Sequence, residues 1–188
     1  MPDVTDEAIA AKVQAGDGES FGLLMERYEA KLTRYARRFL LNGEDGPDVV
    51  QEVFIKAYVN IKSFNPAKRF SPWIYRIAHN EFINAIKKRQ RSREMLLSFF
   101  EPDIFFPHPL AKESASGEAE RASLRAELEK NLNKIGPKYR EPLVLYYFEE
   151  LDYREIADVL RIPAATVGVR LKRGREALKK IMPTSPLV

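Results

Sequence analysis

The 188-residue chain has no cysteine. That excludes a disulfide framework and a thiolate metal site, and it fits a reducing compartment. Histidine is nearly absent too. His79 and His108 are too few and too isolated for a His-built metal centre, and both read as surface residues. No apolar run approaches the ~20 residues that cross a membrane, and the opening "MPDVTDEAIAAKV" lacks a signal-peptide pattern. No segment of convincing length alternates as a strand, and no internal repeat is visible. The patterns G-x-S-x-G, H-E-x-x-H and G-x-x-x-x-G-K are missing. Acidic residues fall mostly at helix starts and faces, without the cluster that a divalent cation needs. These absences point away from an enzyme and from any cofactor or metal. They leave a soluble, cytoplasmic, all-α protein.

What is present is helical periodicity. Thr5 can cap "DEAIAAKVQAG", which Gly16 ends. In "ESFGLLMERYEAKLTRYARRFLL", Phe21, Leu24, Tyr28, Leu32, Tyr35 and Phe39 recur at steps of three and four and make one apolar stripe. "GPDVVQEVFIKAYVNI" has Pro47 just inside its start, with Val50, Val53, Phe54, Ala57 and Tyr58 at helical spacing. A loop, "SFNPAKRF", leads to a long helix, "SPWIYRIAHNEFINAIKKRQR", in which Ser71 reads as the cap and Pro72 as the first helical residue. Residues 94–120 have no helical period. They hold three prolines, four phenylalanines and a small-polar tail, the composition of a linker. Phe99, Phe100, Phe105 and Phe106 either pack back on a domain or dock on a partner. Helices resume near residue 119 with "AERASLRAELEKNLNKI", then "PKYREPLVLYYFEE", where Pro142 is placed to kink or restart the helix. The last two are "DYREIADVL", capped by Asp152, and "PAATVGVRLKRGREALKKIM", opened by Pro163.

The net charge of +4 hides a strong segregation. Residues 1–65 have a net charge of −3. Residues 66–93 hold eight basic side chains against one acidic, a net +7, and residues 94–120 one basic against six acidic, a net −5. Residues 121–150 are near neutral at +1, and residues 151–188 return to +4. Two basic blocks, each on an amphipathic helix, suit a polyanion better than they suit two unrelated solvated faces.

In the second block, the helix from Tyr153 to Leu160, a break at Arg161 to Pro163 and a following helix have the spacing of a helix-turn-helix. Ile156, Ala157 and Leu160 supply one packing face. Val167, Leu171, Leu178 and Ile181 supply the other, within ~40° of one direction at 100° per residue. The opposite face begins with small residues and becomes basic: Ala165, Val169, Lys172, Arg173, Glu176 and Lys180. Small residues allow close approach to base edges, and cations reach phosphates. A helical hairpin with a solvated basic face is the competing reading. Arg161 stands at a turn position that glycine fills more easily; a left-handed backbone there costs about 1–2 kcal/mol. Gly168 costs ~1 kcal/mol of helix propensity relative to alanine, and it lies on the flank of the helix.

The first block interleaves Phe64, Phe70, Trp73 and Tyr75 with Lys68, Arg69, Arg76, Lys87, Lys88, Arg89, Arg91 and Arg93. Aromatics beside cations are what single-stranded DNA requires, with stacking worth ~1–3 kcal/mol per base. The same aromatics also fit a core, Trp73 in particular. Lys68 and Arg69, in a loop, have no packing reason to be there.

These residues carry a resemblance. "DVVQEVFIKAYVNIKSFNPAKRFSPWIYRIAHNEFINAIKKRQR" resembles domain two of the extracytoplasmic-function (ECF) sigma factors of bacterial RNA polymerase, and "GPKYREPLVLYYFEELDYREIADVLRIPAATVGVRLKRGREALKK" resembles their domain four. With the upstream helices, the match spans nearly everything except the linker. The helix-turn-helix alone is weakly specific. D-x-x-Q-E-x-F followed by F-S-P-W-I-Y-R-I-A-x-N is strongly so.

The resemblance implies two small helical domains joined by a flexible linker: domain two at 1–93, the linker at 94–120 and domain four at 121–183. It implies that Asp48, Gln51, Glu52 and Phe54 contact core RNA polymerase. It implies that Asn65, Lys68 and Arg69, with Arg76, Asn80, Asn84, Lys87 and Lys88 along the next helix, engage the melted −10 strand. Thr166, Val169, Arg170, Lys172, Arg173 and Arg175 would read the −35 duplex. The linker would thread through polymerase toward nascent RNA, its acidity matching a positively lined channel. An anti-sigma protein, often membrane-anchored, is implied as a further partner. The family often has an acidic residue where Asn84 stands, a basic one at Gly168, serine at Val169 and glycine at Arg161 and Ala165. A stand-alone helix-turn-helix regulator on a palindrome is the alternative. It predicts tight binding to duplex DNA alone, whereas the sigma reading predicts weak, salt-sensitive binding without polymerase.

Overall fold

The computed structural model describes residues 4–40, 46–89, 129 and 131–181. The described residues form seven α-helices and no strand: α1 Asp6–Gln14, α2 Phe21–Leu40, α3 Gly46–Asn60, α4 Phe70–Arg89, α5 Pro137–Tyr147, α6 Tyr153–Leu160 and α7 Ala164–Ile181. They belong to two compact units, Met1–Lys88 and Arg89–Val188. The phenylalanine-rich linker, His108 and most of the helix expected before Gly136 lie outside the described residues.

In the first unit, α1 starts at Thr5, whose hydroxyl accepts the Ala8 N–H at 3.3 Å. It ends at Gly16, whose φ of 110° is open only to glycine without strain. Asp17 then caps a single 3₁₀ turn, Gly18–Ser20, and accepts from the Ser20 hydroxyl at 2.6 Å. All six stripe residues of α2 are buried, as are Val50, Val53, Phe54 and Ala57 of α3. Burial of each large apolar side chain contributes roughly 1.5–3 kcal/mol. The interior is aromatic. Tyr35 packs edge-on against Tyr75 at 5.3 Å and lies tilted on Phe82 at 5.0 Å, geometries that favour aromatic pairs beyond area alone. His79, expected at the surface, is half-buried with its ring against Phe39 at 6.4 Å.

Two expectations are corrected in this unit. α4 starts at Phe70, one residue before Ser71, and the Phe70 N–H is capped from outside its own segment by Glu7 Oε1 at 2.9 Å. Tyr58 leaves the core stripe. It is 49% exposed, its ring packs on Phe21 at 5.2 Å, and its hydroxyl lies 2.9 Å from where a Cβ on Gly18 would stand.

In the second unit, α5 runs through Pro142 and does not restart there. Asp152 caps α6 in a reciprocal box: its carboxylate accepts from the Arg154 and Glu155 amides at 2.8 Å, and the Glu155 side chain accepts the Asp152 N–H at 2.9 Å. Arg161 follows in the left-handed conformation, φ 54°, ψ 45°. Its N–H and that of Ile162 both donate to the Ala157 carbonyl, which closes the helix end. On α7, Val167, Leu171 and Leu178 are buried, as expected, and Gly174 joins them. A Cβ at Gly174 would stand 2.8 Å from Leu143 Cδ1 and 3.3 Å from the Tyr139 carbonyl oxygen. This glycine lets α7 approach α5 closely.

Candidate nucleic-acid and polymerase interfaces

The loop between α3 and α4 has a buried stem and an exposed tip. Ile61, Phe64 and Phe70 are buried, whereas residues 65–69 are all exposed. The turn is built locally. Asn65 Oδ1 accepts the Ala67 N–H at 3.0 Å, and the Asn65 carbonyl accepts the Lys68 N–H at 2.9 Å, around Pro66. Phe64 packs on Phe70 and on Trp73, at 5.3 and 5.4 Å. The loop is therefore a preformed projection that presents Lys68 and Arg69 to solvent.

This settles the two readings of the aromatics. Phe64, Phe70, Trp73 and Tyr75 are 4%, 0%, 8% and 1% exposed. They are core residues, and none is a free stacking platform. Their role is indirect. Trp73 lies on the same face of α4 as Arg76 and Asn80, and its cover of Phe64 places the loop stem at the head of that face.

Down this face, Arg76, Asn80, Asn84 and Lys87 fall within about 80° of one another at 100° per residue, with Lys88 on the flank. Arg76 and Asn80 are half-buried; Asn84, Lys87 and Lys88 are exposed. Asn84 Nδ2 donates to Glu81 Oε1 at 3.4 Å, and Glu81 pairs through its other oxygen with Lys56 Nζ of α3 at 2.6 Å. The only acidic residue of the basic block is thus largely buried and neutralised from behind. Arg89 is helical in its backbone, while Arg91 and Arg93 lie outside the described residues.

On α3, Asp48, Gln51 and Glu52 are exposed and share one face. Phe54 does not share it. It is 4% exposed and packs edge-on against Phe21, so its side chain holds the helix in place and does not reach a partner. The exposed face continues instead through Ile55, Tyr58 and Val59, at 50%, 49% and 72% exposure. It is acidic and polar at the N-terminal end of the helix and apolar toward the other. Ile55 and Val59 fall between the core positions of the sequence pattern, which is the signal that singles them out.

On α7, the side opposite Val167, Leu171, Gly174 and Leu178 carries Ala165, Val169, Lys172, Arg173, Glu176 and Lys180. Lys172 and Arg173 are exposed, and Thr166 and Val169 are half-buried at the start of the helix. Arg173 also donates to the Tyr139 hydroxyl at 3.5 Å. Arg170 and Arg175 stand at the two edges of the packing seam. Arg175 is turned inward: its guanidinium donates to the Tyr147 hydroxyl at 3.5 Å. Burial works against its charge, but the hydroxyls of Tyr147 and then Tyr153 more than offset this and raise its pKa. Arg175, expected among the −35 readers, therefore ties α7 to its neighbours and does not join Lys172 and Arg173 on the exposed face. Gly168 has Tyr153 Cε2 3.7 Å from a would-be Cβ, an ordinary contact distance.

Among the described residues, no group of three or more His, Asp or Glu is placed to hold a metal ion. No helix there is long and apolar enough to cross a membrane.

Two cationic, helix-borne surfaces in separate helical units define a nucleic-acid-binding protein. Comparison with known families gives its class. Residues 24–92 match the model of sigma-70 region 2, and residues 125–178 that of sigma-70 region 4. The chain is 36% identical over 177 residues to the ECF RNA polymerase sigma factor SigW of Bacillus subtilis (strain 168), covering 90% of this chain and 92% of that one. It is 34% identical over 184 residues to the ECF RNA polymerase sigma-E factor of Escherichia coli (strain K12), covering 96% of each. In structure it is similar to CnrH, solved in complex with the cytosolic domain of CnrY, with a TM-score of 0.67, 26% identity and coverage of 96% of this chain and 98% of that one. The chain belongs to the ECF sigma factors of bacterial RNA polymerase. It is a transcription initiation factor and not an enzyme. Both halves match in the expected order, which removes the case for a stand-alone regulator.

Proposed function

We propose that this sigma factor divides promoter recognition between its two units, with boundaries near 1–93 and 121–183 and a linker at 94–120. α3 docks on core polymerase through Asp48, Gln51 and Glu52, extended by the apolar Ile55 and Val59. The loop tip captures the melted −10 strand with Asn65, Lys68 and Arg69, and the α4 face with Arg76, Asn80, Asn84, Lys87 and Lys88 follows the backbone. α7 enters the major groove of the −35 duplex with Thr166 and Val169 near base edges, where the Val169 methyl groups suit thymine. Arg170, Lys172 and Arg173 take phosphates. Melting is driven by preferential binding of the single-stranded state, with no bond made or broken on the chain. An anti-sigma protein is a further partner in this reading, met in the cytoplasm; the solved complex of CnrH with the cytosolic domain of CnrY is an assembly of the kind it expects.

The observation that carries this reading is the α3–α4 loop. Five consecutive exposed residues, two of them cationic, project from an aromatic stem that has no solvent-exposed use of its own. The test is transcription with bacterial core polymerase on a randomised promoter library. The reading predicts initiation confined to a −10/−35 class, and it fails if no compatible core gives promoter-specific transcripts.

A further inference from the structure

The capture loop is held from outside its own helices. Gln14, the last residue of α1, donates both hydrogens of its side-chain amide: Nε2 lies 2.7 Å from the Ile61 carbonyl and 2.7 Å from the Phe64 carbonyl. Two turns earlier on the same helix, Glu7 Oε1 accepts the Phe70 N–H at 2.9 Å. One short helix therefore grips the loop at both ends, immediately before and immediately after the exposed residues 65–69.

α1 is itself fixed. Asp6 accepts from Arg27 at 2.7 Å through one oxygen and from the Tyr28 hydroxyl at 2.7 Å through the other, and Arg27 also donates to the Val4 carbonyl at 2.7 Å. Tyr28 in turn sets its ring edge against Phe70 at 5.4 Å. Ile61, Phe64 and Phe70 lie outside regular α-helix or at its first residue. The Phe64 carbonyl and the Phe70 N–H need partners outside the helical ladders when buried, and α1 supplies them; at the Ile61 carbonyl, which also accepts the Phe64 N–H at 3.0 Å, Gln14 is a second donor.

We infer that α1 is a brace that sets the geometry of the −10 capture loop, with Gln14 and Glu7 as its positioning residues. This rests on the assignment of the loop to base capture. A hydrogen-bonded stem lets the tip meet a splayed base without ordering the chain first, and preorganisation of that kind raises affinity and discrimination together. Neither side chain touches DNA in this scheme. They act on specificity through the loop.

The test uses the full chain with Gln14→Leu, Glu7→Ala and Glu7→Gln. The last keeps an acceptor oxygen for the Phe70 N–H. Amide hydrogen exchange is read at Phe64, Lys68 and Phe70. Binding is read with core polymerase and single-stranded non-template oligonucleotides carrying the −10 element that the wild type selects, with or without one mismatched base. Gln14→Leu and Glu7→Ala are expected to speed exchange in the loop. They are also expected to cut match-over-mismatch discrimination by about three- to tenfold, the scale of a lost hydrogen bond. Glu7→Gln should stay near wild type, and polymerase affinity, −35 duplex affinity and core amide protection should be unchanged. If Glu7→Ala fails to fold, Gln14→Leu tests the other end of the loop. Unchanged loop exchange, or faster exchange with unchanged discrimination, would overturn the inference. Wild-type protein that discriminates no base would remove the capture assignment and the inference with it. That outcome is separable because it is seen before any substitution.

Discussion

Three residues of the helix-turn-helix carry opposite expectations that the backbone decides. Arg161 holds a left-handed conformation, so Arg161→Gly should raise the stability of its unit by about 1 kcal/mol, read as a higher midpoint in thermal or urea unfolding. Gly168 has room for a methyl group, and Gly168→Ala should stabilise by ~0.5–1 kcal/mol. Gly174→Ala should instead destabilise by ~1–3 kcal/mol, because the new Cβ would overlap Leu143. The oddity of Arg161 and the flank position of Gly168 were legible in the sequence. The role of Gly174 was not, because nothing in a linear pattern reports the distance between α5 and α7. Tyr28 gives a pH prediction. Burial, then its hydrogen bond to Asp6, raise its pKa above the ordinary 10.0. The unfolded chain releases this proton first, so the contribution of Tyr28 is fully present below pH 10 and is lost as the pH climbs beyond it. Phenolate absorbance in an alkaline titration should show Tyr28 ionising only with unfolding; ionisation near pH 10 in the folded protein would contradict this.

At the scale of elements, α7 has a seam and a face, and Arg175 and Arg173 separate them. Arg175→Ala should cost about 1 kcal/mol of stability through its lost packing and tyrosine hydrogen bonds, with −35 affinity changed little at temperatures where the unit is folded. Arg173→Ala should weaken −35 binding and leave the unfolding midpoint nearly unmoved. Equilibrium unfolding and duplex titration, run on the same two variants, check both. Periodicity revealed the helices and the core stripe of α2 because burial follows the 3.6-residue repeat. It misjudged side chains at the edge of a stripe: Arg175 and Tyr58 look like face or core, and their tertiary neighbours decide. The aromatics of "SFNPAKRFSPWIY" were ambiguous because stacking and packing call for the same residue types. The brace by Gln14 and Glu7 left no sequence signal, since both are ordinary polar residues of an amphipathic helix and their partners lie about 50 and 63 positions away.

For the whole molecule, neither basic surface needs to bind tightly. Polymerase holds both units near their DNA, and tethering multiplies two modest affinities through effective concentration. That is why Gly168 and Val169, apolar where the family often has a basic residue and a serine, are compatible with function. The proposed division of labour gives the duplex to one unit and the melted strand to the other. It is tested most directly by measuring −35 duplex affinity and the rate of open-complex formation side by side, in holoenzyme, for Arg173→Ala and for Lys68→Ala with Arg69→Ala. Arg173→Ala is expected to weaken −35 duplex binding about equally across sequences and to reduce its salt slope by about 1, with little effect on the opening step. The paired loop variant should slow opening while sparing the duplex, with the salt dependence of single-strand binding reduced by roughly 0.7 per cation removed. Equal effects of both variants on both steps would contradict it.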